Sequence, residues 1–197
     1  MGDGTYAPVR VGRHVTIRPL RPADYDTLYE IAQFSDAGSR WRLHGSAPPA
    51  DQFVKLLVDG APATFVIDAN EDGRAIGMVQ LWNYTPMNRN GHITAFLRPQ
   101  VRGRGWPLEG IFLFIEYVFP VFNLHKLYFE SLDTELEQYG SLVGPFLRRE
   151  ATYREHQWSF GRLADCHVLA LFAEDVPRLL QMAFPGRQVA ANGGSAT

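Results

Sequence analysis

Residues 95–119 read AFLRPQVRGRGWPLEGIFLFIEYVF, and the fold turns on how this stretch divides. An apolar strand ends at Leu97. Pro99 stops it, because proline has no N–H for a sheet ladder. A basic loop with two glycines follows, and an apolar helix starts near Trp106. Leu108, Ile111, Phe112, Ile115, Val118 and Phe119 recur at helical spacing and mark a buried face. Strand, loop and helix start together make an anion site, since free N–H groups and the positive dipole end both favour phosphate. Gly103 and Gly105 permit positive φ and a close ligand approach. Arg102 and Arg104 add fork-shaped donors. Two dinucleotide patterns fail here. No lysine follows either glycine as a P-loop requires, and Gly103, Gly105 and Gly110 are spaced GxGxxxxG rather than GxGxxG. On this loop alone, an ordinary strand-to-helix turn stays open.

Upstream, His14 to Leu20 alternates as a first strand. Pro22-Ala23-Asp24 opens a helix with proline and an acid in its first turn. Tyr25, Leu28, Tyr29 and Ala32 share its apolar face. Phe34 to Pro49 lacks periodicity and reads as a loop. A short helix spans Ala50 to Val58. Strands over Ala63–Ala69, Arg74–Tyr84 and His92–Leu97, with turns at Asn70–Gly73 and Thr85–Asn90, form an antiparallel meander. Downstream come a strand over Lys126–Leu132, a helix over Thr134–Phe146, and a hairpin of Glu150–Phe160 and Leu163–Phe172. Val176–Phe184 can add an amphipathic turn or two. The order β α α β β β α β α β β implies an α+β fold. The long helix makes a right-handed crossover between the parallel strands at His92 and Lys126. Residues 1–11 form an arm, 12–175 the domain, and 176–197 an extension with a disordered tail.

A chain of 197 residues, 46% hydrophobic, can bury one sizeable core. The formal net charge of −2 gives no global basic excess, which argues against bulk nucleic-acid binding. One cysteine, Cys166, excludes an intrachain disulfide and a thiolate metal cluster. It alternates within an apolar strand and reads as a small buried hydrophobe. The N-terminus shows no apolar signal region. The longest apolar run is interrupted by Glu116 and Pro120, too short for a bilayer. A cytoplasmic protein without metal or membrane association is the expectation.

Several stretches, in order over Val15 to Glu174, resemble the GNAT acetyltransferases. They are VTIRPLRPADYDTLYEIAQ, AIGMVQLWN, the turn Asn88-Arg89-Asn90-Gly91-His92, LRPQVRGRGWPLEG, NLHKLYF and REATYREHQW. The likeness is greatest to the branch that acetylates ribosomal-protein N-termini and also small amines. The stretch from Arg102 to Pro107 meets that family's acyl-CoA loop pattern, [QR]xxGx[GA], except at its last position. The resemblance implies a mixed, largely antiparallel sheet flanked by helices, its central strand pair splayed. It implies acetyl-CoA as donor, with the backbone of Phe96, Leu97 and Arg98 on the pantetheine arm. Arg102, Gly103, Arg104, Gly105 and Trp106 would hold the pyrophosphate. The chain departs from the family in four respects. Pro107 replaces a small residue and removes an N–H. His92 replaces a frequent glutamate. Glu135 and Gln138 stand where an asparagine and a serine are usual, and Phe146-Leu147 replaces Gly-Phe.

Acyl transfer to an amine requires that the amine lose a proton and that the carbonyl oxygen be stabilised. His92 lies at the family's base position, and an imidazole titrates in the useful range. Tyr139 is a candidate donor to the leaving thiolate, and Glu135 a contact to the donor arm. Trp41, Arg42, Trp82 and Tyr84 are candidates to wall the acceptor pocket. Each also has a structural reading, as core aromatic or solvated charge. The expected acceptor is a primary amine of a small molecule or a protein N-terminus. An aminoacyl-tRNA or carrier-protein thioester as donor stays open, as does a binding module without turnover. The C-terminal extension leaves a homodimer open.

Overall fold

The computed structural model describes residues 10–33, 43, 46–101, 105–159 and 161–186. Among these are eight strands: β1 (Arg10–Val11), β2 (Val15–Pro19), β3 (Ala63–Ala69), β4 (Ala75–Thr85), β5 (Asn90–Leu97), β6 (Lys126–Leu132), β7 (Leu147–Ser159) and β8 (Arg162–Phe172). The helices are α1 (Tyr25–Gln33), α2 (Ala50–Val58), α3 (Leu108–Val121) and α4 (Val176–Ala183). The strands form one sheet in the order β1-β2-β3-β4-β5-β6-β8-β7. Its ladders are antiparallel at β1–β2, β2–β3, β3–β4, β6–β8 and β7–β8, and β5 runs parallel to β6. The expected mixed sheet and its crossover through the long helix are therefore present.

One expected element is different. The segment after β6 is a 3-10 run, Asp133–Leu142, broken at Gly140, whose φ is 45°. Leu136, Tyr139 and Leu142 recur every third residue. That spacing suits a 3-10 turn, where positions i and i+3 eclipse, better than an α-helical stripe. Boundaries move too. Helix α3 begins at Leu108 and carries Pro120 in its last turn, while β7 begins at Leu147.

The chain divides into two compact units. The first holds residues 1–83 and 94–117, the second 84–93 and 118–197. In the first, α1 and α2 bring Leu28, Ile31, Phe53 and Leu57 onto Val66, Met78 and Phe96, all buried. Gly110 lets α3 pack closely, for a Cβ there would come 2.9 Å from Ile67 Cγ2. Arg18 on β2 binds Asp24 through Nη1 and Nη2 at 2.8 Å each and Asp68 through Nε at 2.5 Å. Burial raises the Asp24 carboxyl, but hydrogen bonds from Arg18 and the Arg21 amide outweigh it and lower it. Asp68 stays above the usual carboxylate range, because burial outweighs Arg18 there. In the second unit, β6, β7 and β8 bury Leu127, Leu147, Leu169 and Leu171.

Candidate active site

The second unit carries the parallel ladder. It runs Asn90↔Lys126, Gly91↔Leu127 and His92↔Tyr128, with no further register pair between β5 and β6 among the described residues. Strand β6 continues to Leu132 on β8, ending Leu132↔Cys166. His92 thus occupies the last paired position of β5. Its ring lies 5.1 Å from the Tyr128 ring, centroid to centroid. Its Nδ1 lies 3.1 Å from Glu130 Oε1, with side chains 18% and 44% exposed. Glu130 is two residues beyond Tyr128, so strand alternation sets both on one face. The opposite face, Leu127, Phe129 and Ser131, is buried. Lys126 on the open face binds Glu150 at 2.9 and 3.1 Å and lies over the Tyr128 ring.

Beyond β6, Tyr139 meets the Phe129 ring edge-on at 6.1 Å. Burial pushes its phenol up to about 12, and the charge of Glu135 adds to this. It is therefore protonated at neutral pH. Burial likewise pushes the Cys166 thiol up to about 11, with the charges of Glu130 and Glu135 contributing. Cys166 is buried and fits the reading of a small hydrophobe. Glu130 and Glu135 together bias this part of the second unit toward positive charge.

Tyr84, expected to wall the acceptor pocket, has structural partners. Its hydroxyl donates to Phe122 O at 2.9 Å and its ring packs edge-on against Phe122, which makes it a brace between the end of β4 and the end of α3. Arg89, in the expected Asn-Arg turn, donates to Asn123 O and Oδ1, while its own carbonyl accepts from the His125 amide.

The first unit carries the end of β5 and the start of α3. Here Arg98 has structural partners. Its amide donates to Ile76 O at 2.7 Å, its carbonyl accepts from the Val101 amide, and its Nε donates to Ala75 O. The residue ties β5 to the start of β4. Phe96 is buried and Leu97 half-buried. The close approach there depends on Gly77, since a Cβ on it would come 2.2 Å from Phe96 O. Trp82 is half-buried on β4, next to Asn83, which has the strained φ of 47°.

At the helix start, Gly105 has φ 76° with open space where a Cβ would stand. Leu108, Glu109 and Gly110 donate to the carbonyls of Gly105, Trp106 and Pro107 at 3.2, 3.0 and 3.2 Å. The expectation of a generally open helix start is narrowed by this. Those three amides turn back on the chain, and Pro107 has none. Of residues 102–106, expected to hold the pyrophosphate ahead of Pro107, Gly105 and Trp106 are among the described residues. Glu109 accepts the Arg13 and His14 amides at 2.6 and 2.8 Å, and the His14 ring lies 6.4 Å from that of Trp106. Of the anticipated residues, Arg102, Gly103 and Arg104 lie outside the described residues, as do Trp41 and Arg42.

Sequence reading missed Glu130 and Gly77. A lone acid within an apolar strand, two places past a histidine's partner, was the available signal for the first. An isolated glycine inside a strand was the signal for the second. Among the described residues no group of three His, Cys, Asp or Glu side chains is placed to hold a metal ion. No helix among them is long and apolar enough to cross a membrane.

Residues 14–135 match the family described as acetyltransferase (GNAT) domain. Spermidine N(1)-acetyltransferase of Escherichia coli K12 is 28% identical over 115 residues, 55% of this chain and 61% of that protein. The chain therefore aligns with about three fifths of that relative's length. A putative ribosomal N-acetyltransferase of Bacillus subtilis, YdaF, is 26% identical over 126 residues, 60% of this chain and 69% of that protein. Among solved structures, Vibrio cholerae spermidine N-acetyltransferase in complex with CoA and spermine superposes with a TM-score of 0.70. It shares 18% identity, and the alignment covers 84% of this chain and 99% of that one. At that identity the likeness shows a shared fold.

Proposed function

The chain belongs to the acetyltransferase (GNAT) family, and from that premise we propose that it transfers acetyl from acetyl-CoA to a primary amine of a small polyamine. The observation that carries this reading is His92 at the last parallel pair of β5, with Glu130 3.1 Å from its Nδ1. His92 takes a proton from the acceptor's ammonium. The neutral amine attacks the thioester carbonyl, the C–N bond forms, the C–S bond breaks, and the departing CoA thiolate takes up the proton that the new amide nitrogen sheds. Tyr139, protonated with its phenol near 12, donates a hydrogen bond to the departing sulfur. A phenol that weak an acid stabilises the thiolate without giving up its proton outright.

The donor's pyrophosphate is assigned to residues 102–106 and its pantetheine arm to the backbone of Phe96 and Leu97. Gly105, with its positive φ and open Cβ side, fits a backbone approached by phosphate. The likeness to spermidine acetyltransferases supports a polyamine acceptor. A protein N-terminus is a second reading, favoured by the match to the putative ribosomal enzyme.

The test is turnover of acetyl-CoA with spermidine, a simple monoamine and an N-terminal peptide, read as CoA release and product mass. Acetylated spermidine is the expected product. Acetylation of the peptide alone would replace the first reading by the second. Thermal stabilisation by acetyl-CoA without release of CoA to any amine would leave a binding module. Stabilisation by an aminoacyl-tRNA or an acylated carrier protein, with none by acetyl-CoA, would change the donor.

A further inference from the structure

We propose that Glu109 is a positioning residue for the donor site: it clamps the turn between β1 and β2 onto the start of α3 and so holds Gly105 and Trp106 in shape for the pyrophosphate. This rests on the acetyl-transfer reading above. Glu109 lies half-buried in the first turn of α3, where the helix dipole favours an acid. Its carboxylate reaches a segment far earlier in the chain, accepting the Arg13 amide at 2.6 Å and the His14 amide at 2.8 Å. The Gly12 amide closes the same turn on Val15 O at 2.8 Å. The backbone amide of Glu109 donates to Trp106 O at 3.0 Å. The His14 ring lies 6.4 Å from the Trp106 ring, centroid to centroid, tilted by 42°. One residue thus bears on Trp106 from two directions, on its carbonyl directly and on its ring through His14.

The chain is shaped to this contact. A Cβ on Gly12 would come 2.5 Å from Glu109 Oε1, so the turn reaches the carboxylate only because a side chain is missing there. Further along α3, Arg10 Nε lies 3.4 Å from Glu116 Oε2, and its guanidinium sits 5.9 Å from the centre of the Tyr117 ring. β1 and its turn therefore run beside α3 as a strap that ends at Trp106. Gly105, with its positive φ and open Cβ side, is the freest point of the backbone beside it. Holding its neighbour in place lowers the entropy lost when the loop orders on a ligand. Charge points the same way. An acid one turn from a phosphate loop repels the anion, and two backbone N–H donors to its carboxylate offset that charge locally.

The rival role for Glu109 is a staple that stabilises the fold and does nothing for the donor. The two separate through the ratio of kcat/KM for acetyl-CoA to that for S-acetylpantetheine, which has no pyrophosphate. That ratio does not depend on how much of the sample is folded. Glu109→Ala should lower it about 10-fold, through a higher KM for acetyl-CoA, with kcat within about two-fold of wild type. Glu109→Gln keeps one acceptor oxygen and should recover part of the loss. Gly12→Ala leaves Gly105, Trp106 and Glu109 unchanged and pushes aside only the end of a flexible side chain, so it should fold and lower the ratio in the same direction. A wild-type ratio in both Glu109→Ala and Gly12→Ala would overturn the proposal and leave the staple. If the wild type acetylates no amine, the acetyl-transfer reading fails, and titration calorimetry with CoA and with pantetheine decides the clamp instead. The clamp requires that the wild type bind CoA more tightly than pantetheine and that Glu109→Ala narrow the gap. Equal affinities in the wild type, or an unchanged gap in the variant, would overturn it.

Discussion

Arg18 in the first unit and His92 in the second each hold carboxylates, at 2.8 and 3.1 Å, yet the surroundings differ. Arg18 is 15% exposed and closed on both sides, by Asp24 and Asp68. Every strong donor there meets an acceptor, and the result is a clasp between β2, β3 and the turn into α1. His92 is similarly covered, but its acid is nearly half exposed and stands one step past the end of a ladder. A closed charge network fixes a fold. A histidine–carboxylate pair open to solvent on one side can bind and release a proton. If this contrast is right, damage at the two centres should appear in different measurements.

The largest effect is expected at the open centre. His92→Ala should lower kcat about 100-fold or more, a barrier rise of about 2.7 kcal/mol, while the melting temperature stays nearly constant. Steady-state kinetics beside a thermal melt checks both halves. A kcat within three-fold of wild type would remove His92 as base. The reverse pattern is expected at the closed centre. Arg18→Met should cost about 2–4 kcal/mol of stability by leaving two carboxylates unpaired, with kcat per folded molecule unchanged. Urea unfolding measures the first and active-site-normalised turnover the second.

The two acids of the clasp should themselves behave differently with pH. Asp24 is held below its ordinary value, so it contributes stability above the unfolded carboxylate pKa, and this is lost as the pH falls. Asp68 is held above it, so its contribution has the opposite sign and fades as the pH rises through its raised value. Asp24→Asn should therefore cost about 1–2 kcal/mol at neutral pH and flatten the acid side of the stability curve. Asp68→Asn should cost less at neutral pH. Equal losses, measured by denaturation between pH 4 and 8, would show that the pair shares Arg18 evenly.

Much of this contrast could be read from residues alone, and the limits are physical. The GNAT-like order of elements was visible because each strand carries an alternating or apolar run, and because α3 shows one long apolar stripe. His92 was proposed from its place beside the Asn-Arg turn. The 3-10 character of Asp133–Leu142 was hidden, since its every-third-residue pattern is easily taken for a helical one. The structural partners of Arg98 and Tyr84 were hidden for a shared reason. Their polar groups bond to main-chain carbonyls of Ile76, Ala75 and Phe122, and residue types do not reveal such partners. Gly77 belongs with these, because its need for a missing Cβ depends on the backbone of a neighbouring strand.

The smallest effect is also the most direct reading of the open centre's charge. Cys166 lies in the second unit, buried, with its thiol pushed up to about 11 first by burial and then by Glu130 and Glu135. At pH 8 about one thiol in a thousand is then a thiolate, so alkylation of the folded protein should be very slow. Unfolding should restore ordinary reactivity. Removing the Glu130 charge takes away a secondary cause and leaves burial in place. Glu130→Gln should therefore speed alkylation near pH 9–10 only modestly, by less than about three-fold. Arg18→Met, acting in the other unit, should change this rate only through global opening, and so only in step with the loss of stability. An alkylation rate that ignored Glu130 while tracking Arg18 would mean that the charge beside His92 is spent in solvent. The distinction between an open and a closed centre would then lose its electrostatic basis.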